Sequence, residues 1–316
     1  MSIPKRHHYV PRTYLKPFTD PPPYLPAIYD WEKNAYYKGK KSYKRFPTED
    51  HMYSYLDHKG EINAKIEQFF AERVEKPYSR SLERIIQTRR LIPQDKIVLS
   101  RLIGSQLVRT PYHREYYKHE LSSLAYAYSQ TDMLDMKAIF EEKYPLLTKE
   151  QWEKIINRLK QDFRNWKVPQ EQYLESLLRL CKQIADHLYK QNWYFLIIKD
   201  SHQSKSFVTS DDPFNLVPPE GMTVRESGVV GAMKCISLTP KWCLVIEGDG
   251  FDHGFIEIEN PKIIDQINEQ IALRGGRYLI AKYRHSLERT VTRMKNKGLI
   301  PIRVKEMQIY RGRSLI

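Results

Sequence analysis

The feature that most limits what this chain can fold into is a change of hydrophobic period at Asn192. Before it, from Glu61 to Lys190, apolar residues recur every three or four positions, the spacing of amphipathic helices. Ile62, Ile66, Phe69, Phe70 and Val74 begin the series, and Leu174, Leu177, Leu178, Cys181, Ile184 and Leu188 close it. Pro77 suits the first turn of a second helix. Ile97, Val98, Leu102, Ile103 and Leu107 mark a third over Gln94–Leu107, which Pro111 breaks ahead of another through Tyr116 and Leu121. Further helices are predicted over Met133–Lys143, Lys149–Trp166 and Gln170–Lys190.

After Asn192 the pattern becomes that of strands: Trp193–Lys199, Phe207–Ser210, Met233–Leu238 and Cys243–Glu247. Asp211-Asp212-Pro213, Pro218-Pro219-Glu220-Gly221 and Gly248-Asp249-Gly250 are the turns between them. A helix from Pro261 to about Leu273 ends at Gly275-Gly276, and Tyr278–Tyr283 and Ile302–Ile309 are predicted as final strands around a basic segment. Ahead of the helical block, Asp20-Pro21-Pro22-Pro23 interrupts the chain. Ala27–Tyr37 reads as a hairpin turning at Glu32-Lys33-Asn34, Lys38–Arg45 as a basic loop and Glu49–Tyr55 as extended chain. The order predicts an α+β fold: a large helical block packed with a mostly antiparallel C-terminal sheet. Three parts follow, 1–60, 61–190 and 191–316, expected to form one compact unit.

Composition narrows the class. With 316 residues and 41% hydrophobic content, a sizeable core is within reach, while a mean hydropathy of −0.63 demands a polar surface. No run approaches the ~20 apolar residues needed to span a bilayer. No apolar stretch of the signal-peptide kind follows Met1, so a cytoplasmic location is expected. Cys181, Cys235 and Cys243 form no CxxC pair and are expected as reduced core thiols, which excludes a cysteine-rich zinc site. The net charge is +14 and uneven. Residues 261–316 hold thirteen Lys or Arg against four acids, and residues 211–260 hold three against nine. A basic surface favours a polyanionic partner such as nucleic acid.

The opening His7-His8-Tyr9-Val10-Pro11, followed by Arg12-Thr13-Tyr14-Leu15-Lys16-Pro17-Phe18, is too aromatic for a loose arm and is predicted to dock on the body. Histidine there is suited to proton or metal chemistry near neutral pH. Glu67 lies in an acidic helix. Gln106 and Arg109 share a helix face with Ile103, so they either form a buried network or line a pocket. Asp211 ends an apolar strand at Ser-Asp-Asp-Pro, where it either makes an Asx turn or displays a functional carboxylate. A buried Arg109 would need an ionic partner, and Glu67 or Asp211 is expected in that place.

These motifs resemble a bacterial family known as domain of unknown function 4238. The resemblance rests on His8-Tyr9-Val10-Pro11 with Tyr14-Leu15 and Phe18, on Ile66-Glu67 with Phe70, on Gln106 with Arg109-Thr110-Pro111, and on Thr209-Ser210-Asp211-Asp212-Pro213. Ser237-Leu238-Thr239-Pro240 and Asn268 before Arg277-Tyr278 add weaker matches. Where the family usually carries Asn, this chain has Asp212. The resemblance implies a shared fold and polar constellation, and no reaction; a role in bacterial defence or stress is an expectation from the kind of family alone.

If His8, Glu67, Gln106, Arg109 and Asp211 converge, they form a site with a base, two carboxylates, an amide and a fixed cation. His8, Glu67 and Asp211 would then suit Mg²⁺ or Mn²⁺, and Arg109 would grip a phosphate. That set fits metal-assisted phosphodiester hydrolysis, with the basic C-terminal segment guiding a nucleic acid. Two rivals stand beside it. One is a non-catalytic module binding nucleic acid or protein, whose polar cluster holds the fold. The other is a sensor of small anions or nucleotides built on Arg109 and the histidines.

Overall fold

The computed structural model describes residues 6–19, 26–37, 46–56, 62–63, 65–130 and 148–312. The proline break at 20–23, the basic loop at 38–45 and the helix expected over 133–143 lie outside the described residues. The chain divides into two compact units, Met1–His113 with Leu174–Ile316, and Arg114–Tyr173. The fold is α+β, and among the described residues no helix is long and apolar enough to cross a membrane.

In the first unit, strands from both ends of the chain share a sheet. β1 (Arg6–His8) pairs with β4 (Thr48–Asp50), and β2 (Ala27–Asp30) forms the expected hairpin with β3 (Ala35–Tyr36). β2 also lies antiparallel to β13 (Tyr278–Ala281), which in turn pairs with β8 (Thr209–Ser210), so the four-stranded order is β3-β2-β13-β8. A second sheet joins β7 (Gln191–Ile198), β9 (Asn215–Val217), β10 (Met233–Ser237), β11 (Trp242–Asp249) and β12 (His253–Ile258) in the order β12-β7-β11-β10-β9. Its pairs are antiparallel except β12 with β7. Ile271, Leu279, Leu287, Val291 and Met294 fill one core, and Ile198, Phe207, Cys235, Cys243 and Ile264 another. All three thiols are free and buried.

The helices begin later than periodicity suggests. Ile62–Asn63 is β6, paired with β5 (Tyr55–Leu56), and α2 (Lys65–Phe69) starts where the Asn63 side chain accepts the Lys65 N–H at 3.0 Å, in the manner of an N-cap. A π turn, Phe70–Glu75, leads into α3 (Lys76–Thr88), with Pro77 in its first turn as expected. α4 (Pro93–Val108) ends before Thr110, and α5 (Pro111–Gln130) opens at its proline. α6 (Lys149–Arg164) and α7 (Gln170–Tyr189) follow. In the second unit Thr148 and Gln151 form a capping box on α6, and the Tyr117 and Tyr173 rings stand 5.6 Å apart.

Four elements depart from the expectation. α8 (Val224–Gly231), in a segment with no predicted element, begins at a capping box of Thr223 with Glu226. β12 lies between the Gly248-Asp249-Gly250 turn and the Pro261 helix, where no element was predicted. α9 (Pro261–Arg274) is as predicted, but the basic segment after β13 is α10 (Arg284–Asn296), burying Leu287, Val291 and Met294 at helical spacing. Ile302–Ile309 is not a strand but part of α11 (Ile302–Gly312). The buried residues there are Val304 and Met307, three apart; the alternation of Ile302 and Val304 mimicked a strand.

Candidate functional site: a sealed arginine and an open carboxylate

Arg109 caps the C-terminus of α4. This helix sits deep because Gly104 has no side chain. A Cβ there would lie 3.1 Å from the Ala185 nitrogen and 3.2 Å from the Cys181 carbonyl oxygen of α7. Arg109 is wholly buried, and each of its three guanidinium nitrogens has a partner. Nη1 donates to Glu75 Oε1 at 2.9 Å, Nη2 to the His8 carbonyl at 3.0 Å, and Nε to the Tyr53 hydroxyl at 3.3 Å. The Tyr53 hydroxyl donates to the Arg109 carbonyl at 2.8 Å, and the guanidinium lies 4.1 Å from the Phe70 ring centroid. Burial opposes the charge, but Tyr53, Glu75 and Glu67 more than offset it, so Arg109 is held above its ordinary value.

The neighbouring groups are also turned inward. Burial pushes the Glu67 carboxyl up to about 7, with Arg109 pulling the other way. Its Oε2 and the Gln106 Oε1 are buried without a hydrogen-bond partner among the described residues. Gln106 Nε2 donates to Ser105 Oγ at 3.3 Å. The His8 ring accepts from Arg12 Nε at 3.4 Å, and His7 Nδ1 accepts the Tyr53 backbone N–H at 2.9 Å. The ionic partner of Arg109 is Glu75, the last residue of the π turn, rather than Glu67 or Asp211.

Asp211 faces a different space. It lies on the wall of a cavity of about 380 Å³, with Tyr9, Thr110, Pro111, Tyr112, Asp212, Arg277, Tyr278 and Arg303 among its neighbours on that wall. Two motifs therefore serve both places: His8 and Arg109 turn into the protein, while Tyr9 and Thr110 to Tyr112 reach the cavity. The Asp211 carboxylate accepts the Tyr278 backbone N–H at 2.8 Å and the Tyr9 hydroxyl at 3.2 Å. Its own N–H donates to the Tyr278 carbonyl at 3.1 Å. It makes no Asx turn; Ser210 Oγ closes the turn instead, accepting the Asp212 N–H at 3.1 Å. Gly276 makes room for the carboxylate, since a Cβ there would stand 2.5 Å from Asp211 Oδ1. Burial pushes the Asp211 carboxyl up to about 7, against the lowering effect of the Tyr278 and Tyr9 bonds. An acid that gains and loses its proton near neutral pH, beside open space, can act as a general acid or base.

Beside it, Asp212 is ion-paired with Arg303, whose guanidinium lies 5.1 Å from the Tyr112 ring centroid. Arg277 is held by Asp30 at 3.0 and 2.7 Å and by Glu32 at 2.8 Å.

The expected five-residue convergence is thus replaced by two groups. His8, through its carbonyl, and Glu67 surround Arg109; Gln106 bonds within α4; Asp211 is tied to β13. Among the described residues no three His, Cys, Asp or Glu side chains are grouped so as to hold a metal ion, so His8, Glu67 and Asp211 do not assemble the expected Mg²⁺ or Mn²⁺ ligand set. The physical reason is that Glu67 is drawn to the guanidinium while the Asp211 oxygens are committed to Tyr278 and Tyr9. Sequence reasoning placed Glu75 with Glu67 and Glu72 in the acidic helix but not as the partner of Arg109, and it missed Tyr112, Gly276 and Arg303 as site residues. Arg303 had no signal, because its segment read as a strand. Many cations of the C-terminal segment are also engaged within the chain: Arg277, Arg284, Arg289, Arg293, Lys297 and Arg303 all stand in ion pairs.

A family model described as protein of unknown function, DUF4238, matches residues 6–285. The chain belongs to this family. The DUF4238 match takes in the docked opening, the Arg109 knot and the Asp211 turn. It ends before α11, so Arg303, Val304 and Met307 complete the cavity from outside the matched span. No curated protein and no solved structure matches the chain.

Proposed function

We propose that this protein is a hydrolase of phosphodiesters, directed at nucleic acid or at a nucleotide-sized ester, with Asp211 as the proton-transferring residue. The observation that carries the reading is the Asp211 carboxyl itself: buried, oriented by Tyr9 and Tyr278, displaced to about 7, and on the wall of a cavity. A group of that strength donates a proton to a leaving alkoxide at neutral pH far better than an ordinary aspartate. Tyr9, Tyr112 and Tyr278 line the cavity, where aromatic side chains can pack against a base, and Arg303 supplies positive charge for a phosphate. The chain's +14 charge favours a polyanionic substrate. No step in this reading passes through a bound metal, and the role of Mg²⁺ or Mn²⁺ is an arm of the test.

Hydrolysis of short RNA and DNA oligonucleotides and of a nucleotide phosphodiester, followed from pH 5 to 9 with Mg²⁺, with Mn²⁺ and with chelator, tests the proposal. Turnover is expected to fall above about pH 7, as Asp211 loses its proton. Asp211→Asn is expected to lower kcat by roughly 10²-fold or more. Activity that Asp211→Asn leaves intact removes the reading.

The sealing of Arg109 favours a second reading for its own cluster: this part of the motif holds the fold and touches no substrate. On that reading alone, the protein is a binding module with no turnover.

A further inference from the structure

The cavity's arginines are not equivalent. Arg6 is 68% exposed and 3.7 Å from Asp50. Arg277 is answered by two carboxylates, Asp30 and Glu32, and the bonds to Asp30 hold it above its ordinary value. Arg303 is different. Its side chain is only 12% exposed, and among the described residues it is ion-paired with one carboxylate, Asp212. Its Nη2 reaches the Phe214 carbonyl at 3.4 Å, a weak contact. Glu306, one turn along the same helix, is committed to the Tyr112 hydroxyl at 2.7 Å. A guanidinium carries five N–H donors in a planar fork. Two partners leave part of that fork unused, on the wall of a space large enough for a small ligand. Burial accordingly pulls Arg303 below the ordinary arginine value.

We propose that α11 completes the cavity as an oxyanion site, in which Arg303 anchors the phosphate group of the ligand and Asp212 is its resting counter-ion. The proposal rests on the reading of this cavity as a phosphodiester site and names the residue that anchors the phosphate. Phosphate is favoured because its oxygens can take two parallel N–H donors of the fork. The Tyr112 ring beside the guanidinium limits how the fork can turn. Val304 and Met307, both buried, seat the helix that delivers the arginine. Asp212 and a ligand phosphate then compete for one cation. The two members of the ion pair should therefore have opposite effects on anion binding, which a purely structural salt bridge does not predict.

Isothermal titration calorimetry with inorganic phosphate at pH 6.5 and low salt reads this directly. Arg303→Gln is expected to weaken phosphate binding by ~10-fold or more, and Asp212→Asn to tighten it by about 10-fold, the size of one charge-assisted hydrogen bond gained or lost. Should Asp212→Asn fail to fold, the order wild type, Arg303→Lys, Arg303→Gln from tightest to weakest supports the anchor. Equal affinity across those three proteins shows an adventitious ion only and overturns it. Absence of saturable phosphate binding to the wild type overturns it too, as does parallel weakening in both Asp212→Asn and Arg303→Gln. A nucleoside 5′-monophosphate bound more tightly than phosphate identifies an ester as the ligand, and equal affinity identifies free phosphate; either keeps the oxyanion site. Binding is measured without turnover. A wild type that binds phosphate but hydrolyses nothing removes the hydrolase reading and leaves the anchor in place.

Discussion

Arg109 has no exposed surface, and a guanidinium can remain in that position only when its donors and charge are answered. Glu75, the His8 carbonyl and the Tyr53 hydroxyl answer three different nitrogens. Arg109→Ala is expected to cost ~3–5 kcal/mol, because it strips the partner from Glu75 and opens a hole beside Phe70 and Tyr53. Arg109→Lys should recover little of this, since one ammonium cannot span three directions. Chemical denaturation of the purified variants checks both; a loss under 1 kcal/mol for Arg109→Ala would show that the knot is not holding the fold. That Arg109 needed an ionic partner was legible in the sequence. Its identity was not: helical spacing places Glu67, Glu72 and Glu75 by a 3.6-residue period, and the π turn at Phe70–Glu75 breaks that period.

At the scale of elements, the opening segment is held as an integral part of the first unit. β1 pairs with β4, and buried Tyr14 of the short helix α1 (Arg12–Leu15) contacts both sheets. Its hydroxyl stands 2.7 Å from Thr209 Oγ1 of β8 and donates to the Ser237 carbonyl of β10 at 2.6 Å. Tyr14→Phe removes that donor without opening a cavity, and is expected to lower stability by about 1–3 kcal/mol, read as a shifted denaturation midpoint. An unchanged midpoint would mean that the segment is docked by apolar contact alone. The docking was legible from its aromatics, and so were most helices, whose stripes run through Leu102 or Leu177. The errors share one cause: short runs do not separate periods. Ile62 fits a helix by spacing and lies in a strand; Ile302 and Val304 fit a strand and lie in a helix. β12 was missed because Phe255 and Ile256 stand side by side, so its apolar residues do not alternate cleanly with polar ones.

For the whole molecule, the arrangement follows from one sheet. β2 and β3 come from the first forty residues and pair beside β13, so the ends of the chain close over the Asp211 turn. Topology of this kind leaves no mark on local sequence, and for that reason the separation of the motifs into a sealed knot and an open cavity was not foreseen. Motif spacing identified Asp211, Arg109 and His8, but only pairing in space decides which of them lines the cavity. Gly275-Gly276 shows the same limit. It reads as a helix stop and does end α9, yet it also provides the close seat for Ser210 and Asp211. The account stands or falls on the state of that carboxylate. Carboxyl ¹³C NMR of the aspartate-labelled protein, with Asp211 assigned by its loss in Asp211→Asn, follows it directly. The predicted titration midpoint is about 7, with the proton held below it and lost above it. A midpoint near the ~4 of an ordinary solvated aspartate would contradict the account.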